Sequence, residues 1–274
     1  MKRRFTWIAV PALLLTGCDW LGGDEDPEPT ATATGVPTPA PDASETQVPT
    51  EGARQISEET DTFLFEYSWP KEAGDIEELA AWLDARLERA RQELANDARR
   101  GREQARDNGF PFNQYSSGTA WEVVADLPRW LSLSAELYTY QGGAHPNYGF
   151  DAVLWDKQES VALEPIAMFT SKEALDAVLG DRLCEELNAE RESRRGKPIE
   201  PGSQDAFDAC VKPDETNLLL GSTGGEKFDR IGIQIAPYIA GPYAEGSYEF
   251  DFDMDEELLA IVRPEYRETF AARN

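Results

Sequence analysis

Hydrophobic positions recur along this chain at two spacings. In "FLFEYSW", Phe63, Phe65 and Tyr67 alternate against Leu64 and Glu66, which predicts a half-buried strand. From residue 76 the period lengthens. Ile76, Ala80, Leu83, Leu87, Ala90 and Leu94 recur at four- and three-residue steps, predicting a long helix with one apolar stripe and Asp75 as its cap. Alternation returns in "TAWEVVADL", "WLSLSAELYTY" and "GFDAVLWD", three runs separated by turn residues and predicted to form an antiparallel meander. Residues 163–169 lead into a second helix over about 172–194, and "KPIEPGSQDAF" follows as loop. The chain finishes with "TNLLLG", "KFDRIGIQIA", a Pro/Gly corner "PYIAGPYAEG", the strand "SYEFDFDM" and a short helix "DEELLAIV". The order β, α, βββ, α, βββ, α predicts an α+β fold with helices packed on antiparallel sheet.

No such rhythm exists at the N-terminus. Residues 19–56 are Pro, Thr, Ala, Asp and Glu without apolar periodicity, the composition of a disordered tether that proline keeps extended. Before it stand Lys2, Arg3 and Arg4, an apolar run over 5–15, and Leu15-Thr16-Gly17-Cys18. That pattern predicts a lipoprotein signal peptide cut before Cys18, whose sulfur takes the lipid. The apolar run is short for a bilayer span. The expected division is 1–17 signal peptide, 18–57 lipidated Cys18 and tether, and 58–157 and 158–274 as two α+β lobes. The expected location is the cell membrane, lipid-anchored and facing periplasm or exterior. Asp19 would mark inner-membrane retention in enteric-type sorting.

Charge narrows the choice of partner. The chain has 26 Lys+Arg against 52 Asp+Glu, and loss of residues 1–17, with three basic and no acidic residues, leaves 23 against 52, a net of −29. Such a surface repels nucleic acid and anionic lipid and attracts cationic proteins. With 41% hydrophobic residues and seven Trp, the chain still builds a core. Between residues 84 and 106, seven Arg stand against five acids, a solvated helix face with paired charges or else a binding patch. Cys184 and Cys210 form an even pair in an oxidising compartment, most simply one disulfide contributing about 3–4 kcal/mol. Two metal ligands or two free thiols are the weaker alternatives.

The single histidine, His145, sits in "YTYQGGAHPNYGF", where Gly142 and Gly143 permit positive φ and Pro146 stiffens the next step. It is a structural histidine, a partner contact or a catalytic group, in that order. One histidine cannot make a His-rich zinc site, and no G-x-S-x-G elbow surrounds any serine. No catalytic residue, metal or cofactor is therefore assigned. Asp251, Asp253 and Asp255 share one face of the last strand opposite Phe250, Phe252 and Met254. They are solvated carboxylates or, with Glu245 and Glu249, an acidic ridge for a basic partner. They do not continue as an EF-hand loop, since Glu256 follows Asp255 and position twelve is Val262. Aromatics gather on the meander and the late corner, among them Tyr138, Tyr148, Tyr238, Tyr243 and Tyr248. Those beside His145 could form a platform for a sugar or a peptide. The candidate binding residues are Gly142, Gly143, His145, Tyr148, Tyr243, Asp251 and Asp253.

The stretch "YTYQGGAH", then "LEPIAMF", a helix and "KFDRIGIQIAPYIAGPYAEGSYEFDF" resembles the extracytoplasmic domain shared by RsiV-type anti-sigma factors and the accessory domain of PdaC-type peptidoglycan deacetylases. The resemblance runs over about 60–266. It implies an α+β fold and a binding role, with lysozyme as the ligand in the anti-sigma relatives. Only residues 1–4 precede the apolar segment, so no sigma-binding part is expected, and no deacetylase catalytic domain is recognised. The expectation is a non-enzymatic envelope lipoprotein that presents an acidic domain to a cationic protein such as lysozyme, or to cell-wall material. It touches membrane through its anchor alone and has no nucleic-acid role. The alternative is a cell-wall hydrolase using acidic residues near the His145 loop, marked by a cavity with two carboxylates about 5–10 Å apart.

Overall fold

The computed structural model describes residues 51–273, so Cys18, Asp19 and the tether up to residue 50 lie outside the described residues. In chain order the elements are β1 (Arg54–Glu59), β2 (Phe63–Trp69), α1 (Lys71–Gly74), α2 (Glu77–Asn108), β3 (Tyr115–Asp126), β4 (Trp130–Tyr140), β5 (Asn147–Asp156) and β6 (Val161–Leu163). There follow α3 (Lys172–Arg195), β7 (Asn217–Gly221), β8 (Arg230–Ile235), β9 (Tyr248–Asp253) and α4 (Glu256–Ala260). Strands β1 to β6 form one sheet in sequence order, and β7-β8-β9 form a second.

The α+β class stands, with one change to the sheet. The β3-β4-β5 meander is antiparallel, Tyr138 opposite Tyr148 and Leu133 opposite Val153. Strands β2 and β3, however, run parallel, Phe63 opposite Tyr115. The larger sheet is mixed because α2 carries the chain back along its length between them, as a parallel pairing requires. Residues 54–57, expected as the end of the tether, belong to β1. That strand is the sheet edge and its "RQISEE" is mostly solvent-facing, so it carries little apolar signal.

Helix α2 runs 32 residues, about 48 Å at 1.5 Å per residue. Its buried stripe is Leu79, Leu83, Leu87, Leu94, Ala98 and Ala105, so Leu79 takes the inward place expected of Ala80. Ile76 is the N-cap and makes no side-chain cap bond. Asp75 instead closes α1 and pairs with Lys71. The far end stops at Gly109, whose φ of 73° lets the chain turn left-handed.

The α2 stripe packs on Phe65, Tyr67, Trp69, Trp121, Leu131, Leu133 and Trp155 of the large sheet. A second core joins Leu175, Leu179, Leu183 and Leu187 of α3 to Leu220, Ile231, Ile233, Tyr248 and Phe252. It also takes in Trp130 and Leu154 from the large sheet. Strand β4 is thus covered on both faces over residues 130–133, so even Ser132 is fully buried and its hydroxyl has no partner. The 157/158 line expected between two lobes falls inside the β5–β6 hairpin, where Asp156 pairs with Val161. All described residues belong to one compact unit.

Candidate functional site

The β4–β5 turn and the corner between β8 and β9 bring their aromatics together. Gly142 turns the first of these segments with φ of 80°; Gly143 has no positive φ, contrary to its expected role. The turn presents His145, and the strands beside it present Tyr138 and Tyr148, a cross-strand pair with ring centroids 5.6 Å apart. From the corner, Tyr243 stacks on His145 at 3.8 Å and 20°. Tyr148 lies 6.3 Å from Tyr243 at 22°, and Tyr238 lies 5.8 Å from it at 33°. The result is an aromatic shelf: Tyr148 is 50% exposed and Tyr238 49%, with Ile239 beside it at 47%.

Hydrogen bonds fix the imidazole in its place. The Pro146 carbonyl can only accept, so His145 Nδ1 carries the proton donated to it at 2.9 Å. In the neutral ring Nε2 then accepts from the Tyr238 hydroxyl at 3.1 Å. Tyr238 holds this position with φ of 72°, a conformation that a bulky side chain adopts only where its surroundings enforce it. Its N–H donates to the Gly241 carbonyl at 3.0 Å, closing the corner. Burial raises the pKa of the Tyr243 hydroxyl, and the neighbouring Tyr148 adds to the rise, so Tyr243 remains a neutral donor.

Below the corner, α3 supplies a rigid base. Arg191 is fully buried and donates to the Ala240 carbonyl from Nε at 3.0 Å and from Nη2 at 2.9 Å, to the Ala209 carbonyl at 3.0 Å, and to Asn188 at 2.9 Å. One turn on, Arg195 grips both oxygens of Glu245 and reaches Asp208 at 2.6 Å. The Tyr248 hydroxyl also donates to Glu245. Burial alone would raise the pKa of Glu245, but the Arg195 and Tyr248 hydrogen bonds and the arginine charges outweigh it and hold the carboxyl below its ordinary value. Gly241 permits this approach, because a Cβ there would lie 2.2 Å from Glu245 Oε2. The Cys184–Cys210 disulfide ties the segment bearing Ala209 to the same helix.

Three of the seven candidate binding residues therefore meet, His145, Tyr148 and Tyr243, with Gly142 and Gly143 in the turn that carries His145. Asp251 and Asp253 stand apart on β9, each in an exposed ion pair. Arg230 pairs with Asp251 and Arg273 with Asp253, both at 2.7 Å, while Asp255 caps α4 and meets Arg182 at 2.8 Å. Glu245 is likewise turned into the base beneath the corner. The residues that sequence reasoning missed are Arg191 and Arg195, whose only signal was a basic end to an otherwise amphipathic helix.

Among the described residues, the cavities lined by Phe110, by Asn217, by Ser247 and by Leu137 do not include His145. Among the described residues, no group of three or more His, Cys, Asp or Glu is placed to hold a metal ion. No helix among them is long and apolar enough to cross a membrane.

Residues 56–148, about a third of the chain, match the family model described as "Deacetylase PdaC". No curated protein matches. Among solved structures, a member of the DUF3298 family from Bacteroides fragilis is 15% identical, with a TM-score of 0.48, covering 79% of this chain and 95% of that one. A DUF3298 family protein from Pseudomonas aeruginosa is 16% identical, with a TM-score of 0.41, covering 81% of this chain and 97% of that one. The stretch that carries the family match begins in β1 and ends at Tyr148, within the aromatic shelf.

Proposed function

We propose that this chain is a non-enzymatic binding protein of the cell envelope, anchored through Cys18, whose aromatic shelf receives a basic side chain of a cationic protein. The supporting observation is the exposed stack of Tyr148, Tyr243, His145 and Tyr238 on a chain of net charge −26. Electron-rich tyrosine faces attract a guanidinium or ammonium within about 6 Å of the ring. The net negative charge of the chain steers a cationic partner, an attraction that weakens as salt rises. Lysozyme is the probe that the resemblance to the anti-sigma domains recommends. The matched family bears the name of a deacetylase; on this reading, residues 56–148 belong to the part that holds a ligand rather than the part that cuts.

The hydrolase alternative has less support. It needs two carboxylates beside a cavity near His145, whereas Glu245, the carboxylate of the corner, is occupied by Arg195 and Tyr248.

The test is lysozyme binding, with lysozyme activity followed alongside, at low and high salt. Binding that weakens with salt and falls roughly tenfold in the Tyr148→Ala, Tyr238→Ala double variant supports the proposal. No binding at any salt would sink the lysozyme version. An Asp251→Asn, Asp253→Asn variant tests the acidic face separately: both carboxylates sit in exposed ion pairs with Arg230 and Arg273, and unchanged affinity would remove that face from the contact.

A further inference from the structure

A second feature lies where the C-terminal third of α2 meets the loop before β3. A cavity of about 660 Å³ opens there, within the size range of small-molecule sites. Arg99, Arg102 and Arg106 line it against a single acid, Glu103, with Phe110 and Phe112 forming an apolar wall. That is a local excess of positive charge in a strongly acidic protein. Arg99 has no ion pair among the described residues and donates to the neutral amide oxygen of Asn96 at 2.7 Å. Arg102 meets Asp61, and Arg106 meets Asp107 at 3.1 Å with side chains 74% and 67% exposed. Exposed pairs of this kind contribute little, so a better anion can replace either acid. Phe110 is 54% exposed and lines the same cavity as the arginines.

The geometry points to a binding site for a small amphiphilic anion, with its phosphate or carboxylate head on the forks of Arg99 and Arg106 and its apolar body on Phe110 and Phe112. A guanidinium fork matches the oxygens of such a head in pairs, and the rings take the part that water disfavours. The head could belong to a free small molecule or to a lipid.

The full chain in a neutral sugar detergent is titrated by calorimetry with 1-naphthyl phosphate, which joins head to body, and with inorganic phosphate and 1-naphthol, which carry one part each. Saturable binding of naphthyl phosphate, at least about tenfold tighter than either part, is expected. The Arg99→Gln, Arg106→Gln double variant and Phe110→Ala should each weaken it, the former roughly tenfold, with circular dichroism unchanged. Displacement by phosphatidylglycerol carried in the micelles supports the site with a lipid head as its ligand; saturable binding that resists such displacement supports it with a free anion. No saturable binding of naphthyl phosphate, or binding equal in wild type and both variants, overturns the proposal.

Discussion

Arg195 of α3 holds Glu245 through both carboxylate oxygens, from Nε at 2.8 Å and from Nη2 at 2.9 Å, and so fixes the corner that carries Tyr243. Both side chains are only 14% exposed. Removing one partner leaves the other charge nearly buried and unpaired, so Arg195→Ala should destabilise the fold by on the order of 3 kcal/mol. Arg195→Lys keeps the charge and loses the fork, and should fall in between. Denaturant midpoints check both. An alanine variant as stable as wild type would remove Arg195 from the account of the shelf.

Acid should unfold the protein through particular carboxylates. The Asp156 side chain is 3% exposed and lies in the fork of Arg129. Burial alone would raise its pKa, but the Arg129 hydrogen bond, the Gln158 and Glu159 amides and the Arg129 charge outweigh it and hold the carboxyl below its ordinary value. Glu245 is held down in the same way. Stability from a depressed carboxylate is complete above its unfolded pKa and is lost as pH falls through the folded one. The melting temperature should therefore decline only below about pH 4, the ordinary carboxylate range. Asp156→Asn should lower it at neutral pH and flatten the acid limb; an acid limb as steep as that of wild type contradicts this.

Two helix glycines should respond to alanine with opposite signs. A Cβ at Gly101 of α2 would meet the Tyr115 hydroxyl at 2.3 Å and its ring carbon at 2.7 Å. Overpacking of that kind costs about 1–3 kcal/mol, more than the roughly 1 kcal/mol that alanine brings to a helix. At Gly180 of α3 the nearest atom is Asp176 Oδ1 at 2.6 Å, the end of a side chain that can swing away. Gly101→Ala should lower the melting temperature and Gly180→Ala should raise it, as thermal unfolding followed by circular dichroism would show.

The disulfide should matter for binding as well as for stability. Cys184 and Cys210 are 26 residues apart in sequence, and closing a loop of that size contributes about 3.5 kcal/mol in the chain-entropy model. A Cys184→Ser, Cys210→Ser variant should melt lower by that measure. It should also bind lysozyme more weakly, since Arg191 spans from Ala209 to Ala240 across the tied segment. Equal melting temperatures with and without reductant in the wild-type protein would contradict the first part.

Which of these features could be read in the chain depends on how local each one is. Alternation in "FLFEYSW" and the four-three steps of α2 are properties of neighbours, and both elements stand where the pattern puts them. The grouping of His145 with Tyr148 was also local, a shaped turn between two paired strands. Edge strand β1 escaped because one sheet neighbour and one wet face demand few apolar residues, with Ile56 alone packed on the core. The parallel β2–β3 pairing spans a whole helix and leaves no trace in either strand. The arginine partners of the acidic face are unreadable for a similar reason: Arg230, Arg273 and Arg182 reach Asp251, Asp253 and Asp255 from separate elements. Nor does sequence show that Tyr238 adopts a left-handed backbone, because that strain comes from the packed corner around it.

The most direct test of the central claim is the affinity for lysozyme of the wild-type protein and of the Tyr148→Ala, Tyr238→Ala variant, both over a salt series. Both tyrosines are about half exposed, so their loss should leave the fold intact. The account predicts roughly tenfold weaker binding in the variant at low salt, with wild-type affinity falling steadily as salt rises. Wild-type and variant curves that superimpose at every salt concentration would contradict it.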